Sequence, residues 1–114
     1  MAWTPTDTDL KRSSATLLVL ALVSETPRHG YEIGKLITER SNGTITFNMA
    51  SLYPLLYRME RHGWITGEWR ERPKERRRRF YRITPEGEHV LAGQRGLWRG
   101  FVSALDQVAG LKES

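Results

Sequence analysis

Residues 51–83 read SLYPLLYRMERHGWITGEWRERPKERRRRFYRI, and this stretch decides the fold. Its first part carries apolar side chains at helical spacing, at Leu52, Leu55, Leu56 and Met59. Its remainder contains two runs rich in β-branched and aromatic residues, 64–70 and 78–83, joined by a charged link that contains Pro73. The stretch therefore predicts a helix followed by a β-hairpin.

Positive charge is concentrated at the tip and second arm of this hairpin. Residues 70–82 hold eight basic and two acidic side chains, a net charge of +6, whereas the other 101 residues hold 10 basic and 11 acidic ones, a net of −1. The whole excess of the chain, formally +5, thus lies in this segment. A focused basic patch indicates an anionic partner, although such a run can also be a solvated surface.

Length and composition bound the protein class. A chain of 114 residues is expected to form one domain. With 39% hydrophobic and 10% aromatic residues it is too apolar for a disordered tail. The absence of cysteine excludes a disulfide scaffold, a thiolate metal site and a cysteine nucleophile.

Upstream of the deciding stretch, residues 1–8 are interpreted as a loose arm and Asp9 as the cap of a first helix that ends near residue 24. The apolar side chains of this helix lie on all its sides, namely Leu17, Leu18, Leu20, Ala21, Leu22 and Val23. A helix that is apolar on every side is buried on every side. In a chain this short, we expect a second subunit to supply part of the cover.

The first helix also imitates a signal peptide, because Lys11 and Arg12 precede the apolar run 15–23. Asp7 and Asp9 lie before these bases, however, and the run is far shorter than the ~20 residues that a membrane span requires. We therefore expect a soluble, cytoplasmic protein without a membrane partner.

The middle of the chain predicts a helix over residues 30–41, a short strand over 44–47 and a third helix that ends at residue 62. Asn48 or Ser51 is the expected cap of the third helix. Pro54 fits if this helix starts at residue 50 or 51, because proline is tolerated in the first turn.

The last helix is expected to start at residues 84–86 (TPE) and to run to about residue 110. Leu91, Trp98 and Leu105 recur every seven residues, and Phe101 and Val108 follow an adjoining seam. This apolar face is too wide for one small domain, so a partner helix is expected. The chain thus divides into the arm (1–8), a DNA-binding domain (9–83) and a dimerisation helix (84–110).

This order of elements predicts a mainly α fold with a small β-hairpin, a winged helix-turn-helix. The second and third helices form the reading unit, since a helix fits the major groove and its first residues reach base edges. The hairpin is the basic wing, which neutralises phosphates.

Three blocks in this order resemble the PadR family of transcriptional regulators: HGYEI at 29–33, SLYPLLYRMERHGWI at 51–65 and RFYRITPEG at 79–87. The resemblance spans about residues 14–108, and the single C-terminal helix is similar to the compact subfamily. It implies a homodimeric repressor of an inverted-repeat operator, joined by the last helix of one subunit packing on the first helix of the other.

The resemblance and the residue pattern together give the candidate contacts. The side chains expected to contact DNA are Tyr31, Lys35, Asn48, Ser51, Tyr53, Arg58, Arg76, Arg77, Arg78 and Arg79. Those expected at the dimer interface are Leu17, Leu18, Leu20, Leu91, Trp98, Phe101, Leu105 and Val108. The resemblance also implies that Trp98 and Phe101 could stack on a flat aromatic effector, although a plain dimer core is the favoured interpretation of both.

Several candidates keep a second interpretation. Tyr31 and Tyr53 could serve packing, Lys35 could be solvated, Ser51 could be a cap, and Arg58 could pair near Glu60. Because successive residues of a strand face opposite ways, the arginines at 76–79 cannot all reach one groove.

An enzyme is not expected. The three histidines fall at element ends without a catalytic partner, and the sequence has no glycine-rich phosphate loop, no metal-ligand spacing and no cofactor motif. The alternative function is an interaction module whose basic hairpin binds an acidic protein or a membrane surface.

Overall fold

The computed structural model describes residues 7–71 and 73–112. Its elements are the helices α1 (Asp7–Glu25), α2 (Gly30–Arg40), α3 (Met49–Arg61) and α4 (Pro85–Ala109) and the strands β1 (Arg28–His29), β2 (Ile65–Arg70) and β3 (Arg78–Ile83). The four predicted helices and the hairpin are confirmed. The fold is mainly helical, with one small antiparallel sheet.

Helix α1 begins at Asp7, so Asp9 lies inside the helix and its predicted role as the cap was wrong. Of the arm expected over residues 1–8, residues 1–6 lie outside the described part of the chain. The predicted burial of α1 on every side holds only in part. One side faces the core, while Leu17, Leu18 and Ala21 are half-buried.

Helix α3 is capped by Asn48, whose Oδ1 accepts the Ser51 N–H at 2.8 Å. Because the helix begins at Met49, Pro54 occupies its sixth position, and the prediction that Pro54 lies in the first turn was wrong. A proline there leaves the carbonyl of Ala50 without its helical donor. Ala50 and Pro54 are both exposed, so water can take the donor's place. Gly63, at φ 78°, ends the helix in the left-handed region that favours glycine.

The strand predicted over residues 44–47 was wrong. These residues form a connection between α2 and α3, in which the Ile45 N–H donates to Ser41 Oγ at 3.0 Å and Phe47 packs against the core. The third strand is instead β1, which is two residues long and lies directly before α2. The order in the sheet is β1-β3-β2. Tyr81 of β3 pairs with Arg28 on one side and with Gly67 on the other.

The core lies between α1, α2, α3 and one face of the sheet. Its fully buried side chains come from each of these elements and include Val19, Leu20, Ile33, Leu52, Leu56, Met59 and Ile65. The predicted helical stripe of α3 is confirmed at Leu52, Leu56 and Met59, and Leu55 is half-buried against the same cluster.

A buried arginine ties the first two helices together. Arg28 donates from Nε to the Leu22 carbonyl at 2.9 Å and pairs with Glu25 at 2.7 Å and Glu32 at 3.0 Å. Glu25 also accepts from Arg40, at 2.8 and 2.9 Å. Hydrogen bonds from Arg40 and Arg28 lower the pKa of Glu25 to about 2.

Helix α4 starts on the core and then leaves it. Thr84 caps it by accepting the Gly87 N–H at 2.9 Å, and Leu91 is buried. Beyond Leu91 the helix extends from the body, which gives the chain extents of 53 × 30 × 29 Å and a radius of gyration of 16.0 Å. A globular chain of this length has about 13 Å. Among the described residues, no helix is both long and apolar enough to cross a membrane.

Candidate nucleic-acid interface

The outward face of α3 carries the predicted reading residues. Since Leu52, Leu56 and Met59 turn inward, the opposite face is left exposed, with Tyr53 at 51% and Tyr57 at 62% of full exposure. Tyr53 also packs against Gly30 at the start of α2, so the packing interpretation of this residue applies, and its DNA contact stays a prediction. Groove access and packing are compatible here, because only part of the ring is covered.

A second group lies at the start of α3. Asn48, Ser51 and Arg58 line a depression of about 300 Å³ that also includes Arg12 of α1. Asn48 provides the cap, which leaves the exposed Ser51 side chain available. Arg58 has no ion pair with any side chain that the structure describes, and Glu60, the neighbour considered for it, pairs with Arg79 instead.

Arg12 was missed by sequence reasoning. It was interpreted only as part of an apparent signal peptide, although it lies one turn before the buried stretch of α1. The sequence does not show that α1 and the start of α3 lie side by side, so Arg12 could not be assigned to the site from the sequence alone.

The tip side of the wing forms a basic basin with α2. Tyr31, Lys35, Arg76 and Arg78 line a hollow of about 510 Å³ together with His29. Tyr31 is 56% exposed, its ring stacks at 6.4 Å on His29, and the Arg78 guanidinium lies 5.8 Å from its centre. Lys35 is exposed and only 3.9 Å from Glu39, a weak surface pair.

His29 caps α2 as a neutral ring. Its Nδ1 accepts the Glu32 N–H at 3.2 Å, and this role requires an unprotonated nitrogen. Burial and the neighbouring charge of Arg78 lower the pKa of His29 below its usual 6.5. The ring therefore remains an acceptor near neutral pH.

The four wing arginines have different surroundings. Arg77 lies 4.8 Å over the Trp69 ring and 3.4 Å from Glu71, while Arg78 turns to Tyr31. Arg79 turns the other way and pairs with Glu60 of α3. Arg76 is exposed and, within the described residues, has neither an ion pair nor a ring contact. The divergence expected from strand alternation is thus present.

The expected interface residues separate into two groups. Leu20 and Leu91 lie in the chain's own core, at 0% and 3% exposure, and therefore offer a partner almost no surface. Leu17, Leu18 and Trp98 are half-buried, and three others on α4 are exposed, namely Phe101, Leu105 and Val108. The exposed apolar surface is larger than expected, because it also includes Leu97, Val102 and Leu111.

Comparison with known proteins decides the family. The family model described as the transcriptional regulator PadR-like family matches residues 19–93. The chain belongs to the PadR-like family. The match includes α2, α3 and the wing. As a member of this family, the protein is a DNA-binding transcriptional regulator and not an enzyme. Among the described residues, no group of three or more histidine, aspartate or glutamate side chains could hold a metal ion.

Solved structures agree with this assignment, and one sequence relative is similar over most of the chain. A transcriptional regulator from Clostridium thermocellum is 29% identical with a TM-score of 0.80, and the alignment covers 89% of this chain and 98% of that one. A PadR family transcriptional regulator from Eggerthella lenta is 28% identical with a TM-score of 0.78, covering 92% and 89%. An uncharacterised protein X of Lysinibacillus sphaericus is 31% identical over 84 residues, 74% of this chain and 77% of that protein.

Proposed function

We propose that this PadR regulator is a homodimeric repressor that recognises an inverted-repeat operator. The observation that carries the proposal is the placement of an exposed, polar face of α3 beside a wing that holds all the net positive charge. In the proposed complex α3 lies in the major groove, where Ser51 and Tyr53 approach the bases.

The wing and the α2 basin provide phosphate contacts. Arg76, Arg77 and Arg78 lie at the tip side of the wing, beside Tyr31 and Lys35 of α2. Arg12 and Arg58 provide further phosphate contacts in the depression that extends from the start of α3 to its last turn. Such contacts give affinity that falls with salt but carry no sequence information.

The dimer forms through distal α4, by which we mean residues 92–111. A second copy is the proposed occupant of its exposed apolar face, because Leu97, Phe101 and Val108 are otherwise left in water. The half-buried Leu17 and Leu18 of α1 add to the surface that the partner covers. A two-fold axis would place two copies of α3 roughly 34–36 Å apart, one turn of DNA.

The same surface could take a small aromatic effector. Trp98 and Phe101 meet edge to face with ring centres 6.1 Å apart, and Phe101 is more than half exposed. A flat ligand that stacks there would favour one dimer geometry and relieve repression. The dye anilinonaphthalene sulfonate serves as the probe. Trp98→Ala should abolish binding of the dye. Unchanged binding would contradict the proposed effector site.

Fluorescence anisotropy tests the proposal. The full chain is titrated onto DNA from upstream of its own gene and onto a scrambled duplex, at about 50 and 200 mM salt. The proposal predicts preference for the upstream DNA at both salt concentrations. Equal binding to the two duplexes, lost at the higher salt, would instead favour the alternative function, a basic hairpin that binds an acidic protein or a membrane surface. Family membership disfavours this alternative.

A further inference from the structure

We infer that Arg79 does not contact DNA but is a positioning residue, which holds the wing at a fixed distance from α3 through Glu60. The inference rests on the proposed function, in which α3 and the wing engage one duplex together. It also changes the role that the sequence assigned to Arg79.

The contacts of Arg79 tie its side chain to α3. Its Nη2 donates to Glu60 Oε2, and the guanidinium lies 5.5 Å from the Trp69 ring centre and 6.0 Å from that of Tyr81. Its side chain is 28% exposed. A phosphate that binds at Nη2 must displace the Glu60 carboxylate from that donor.

Glu60 joins the two elements from the side of α3. Its Oε2 also accepts the backbone N–H of Gly67 on β2, at 3.2 Å. One carboxylate on the reading helix thereby holds both strands of the wing, β2 through Gly67 and β3 through Arg79. The Glu60 side chain is 27% exposed, so this junction is partly removed from water.

The Arg79 guanidinium occupies the space that a side chain at position 67 would fill. A Cβ atom on Gly67 would lie 2.7 Å from Arg79 Cζ, closer than real Cβ contacts approach. Gly67 therefore leaves the space in which the guanidinium crosses β2 toward α3. The glycine, the arginine and the carboxylate form one unit that sets the angle of the wing.

The two roles of Arg79 make opposite predictions for Glu60. If Arg79 binds phosphate, then Glu60→Gln removes a competing carboxylate near DNA and strengthens binding. If Arg79 positions the wing, then Glu60→Gln loosens the junction and weakens binding. The matched control is Glu68→Gln, which removes the same charge from the exposed, opposite face of β2.

The experiment measures anisotropy of the full chain on its selected operator across a salt series. We expect Glu60→Gln and Arg79→Gln each to weaken binding by roughly tenfold. The double variant should be no weaker than either single one, because the two residues act as a unit. The slope of log affinity against log salt should be unchanged, since no phosphate contact is lost. Glu68→Gln should not weaken binding.

Tighter binding by Glu60→Gln, or a slope reduced by about 0.9 in Arg79→Gln, would overturn the inference. Unchanged affinity in both variants would overturn it as well. Arg79→Lys keeps the charge and the ion pair but loses the planar fork, so it serves as the variant that still folds. It should recover only part of the affinity that Arg79→Gln loses. Wild-type protein that shows no sequence preference would refute the proposed function itself, independently of these variants.

Discussion

Two leucines six residues apart on α4 have opposite surroundings. Leu91 is 3% exposed in the core, whereas Leu97 is 66% exposed. Six residues turn Leu97 about 120° away from Leu91 around the helix, but Leu105, on the same face as Leu91, is also exposed, at 40%. The winged-helix region, from α1 to Leu91, builds its own core, while most apolar side chains of distal α4 are left uncovered by the described residues. In the proposed dimer a second copy supplies the missing cover for distal α4.

The largest effect is expected from a cavity in the winged-helix region. Leu52→Ala removes a fully buried side chain and should lower the free energy of unfolding by about 2–5 kcal/mol. Denaturant unfolding at two protein concentrations measures this loss, which should be the same at both. The matched change Leu97→Ala removes an equal side chain, and its smaller cost should vanish on dilution. A concentration-independent loss in Leu97→Ala would contradict the comparison.

Charge placed on distal α4 should separate the subunits. The double variant Phe101→Asp, Leu105→Asp should weaken self-association by roughly a hundredfold or more, because unpaired carboxylates resist burial in an apolar interface. Sedimentation velocity measures the association, and circular dichroism should show the winged-helix region still folded. The double variant Ser103→Asp, Gln107→Asp, which places the same two charges on another side of the helix, is the control. Equal weakening by the control would argue against this face.

A single wing contact gives a smaller and more specific effect. Arg76→Gln should weaken DNA binding across all sequences and reduce the salt slope by about 0.9, since it removes one phosphate contact. Anisotropy over a salt series measures the slope. Lys112→Gln removes the same charge from the far end of α4 and should leave the slope unchanged. A slope that Arg76→Gln does not alter would show that the wing does not contact phosphate there.

The smallest effect concerns the polar network that ties α1 to α2. The pKa of Glu25 is lowered from 4.5 to about 2, so its stabilising contribution is present above pH 4.5 and is lost as the pH falls toward 2. Acid unfolding followed by circular dichroism should show this loss in the wild type. Glu25→Gln should be less stable at neutral pH and lose less between pH 4.5 and 2. An identical acid profile would exclude Glu25 as a source of the pH dependence.

Much of the fold is readable from periodicity and caps. The stripe Leu52, Leu56 and Met59 is local information, and so are the hydroxyl cap at Thr84 and the terminator Gly63. The strand β1 escaped prediction because its two residues carry no pattern and form a strand only where β3 offers an edge. Conversely, residues 44–47 have β propensity, but the described part of the chain provides no strand with which they pair.

The location of the candidate site could be predicted from the sequence, but the roles of its individual side chains were less predictable. Charge and spacing located the wing and the reading helix, and alternation showed that its arginines must diverge. Which arginine turned inward depended on Glu60 and Gly67, two residues that the fold brings beside Arg79 from α3 and β2. The depression shared by Arg12 and Arg58 likewise depends on helix packing, which a linear pattern does not contain.

The central claim is that a two-fold dimer reads DNA sequence through α3. Selection of bound duplexes from a randomised library by the full chain, followed by sequencing, tests it most directly. The account predicts an enriched inverted repeat whose half-sites are centred about 10–10.5 base pairs, or a multiple of this, apart. Recovery of duplexes with no enriched motif would contradict it.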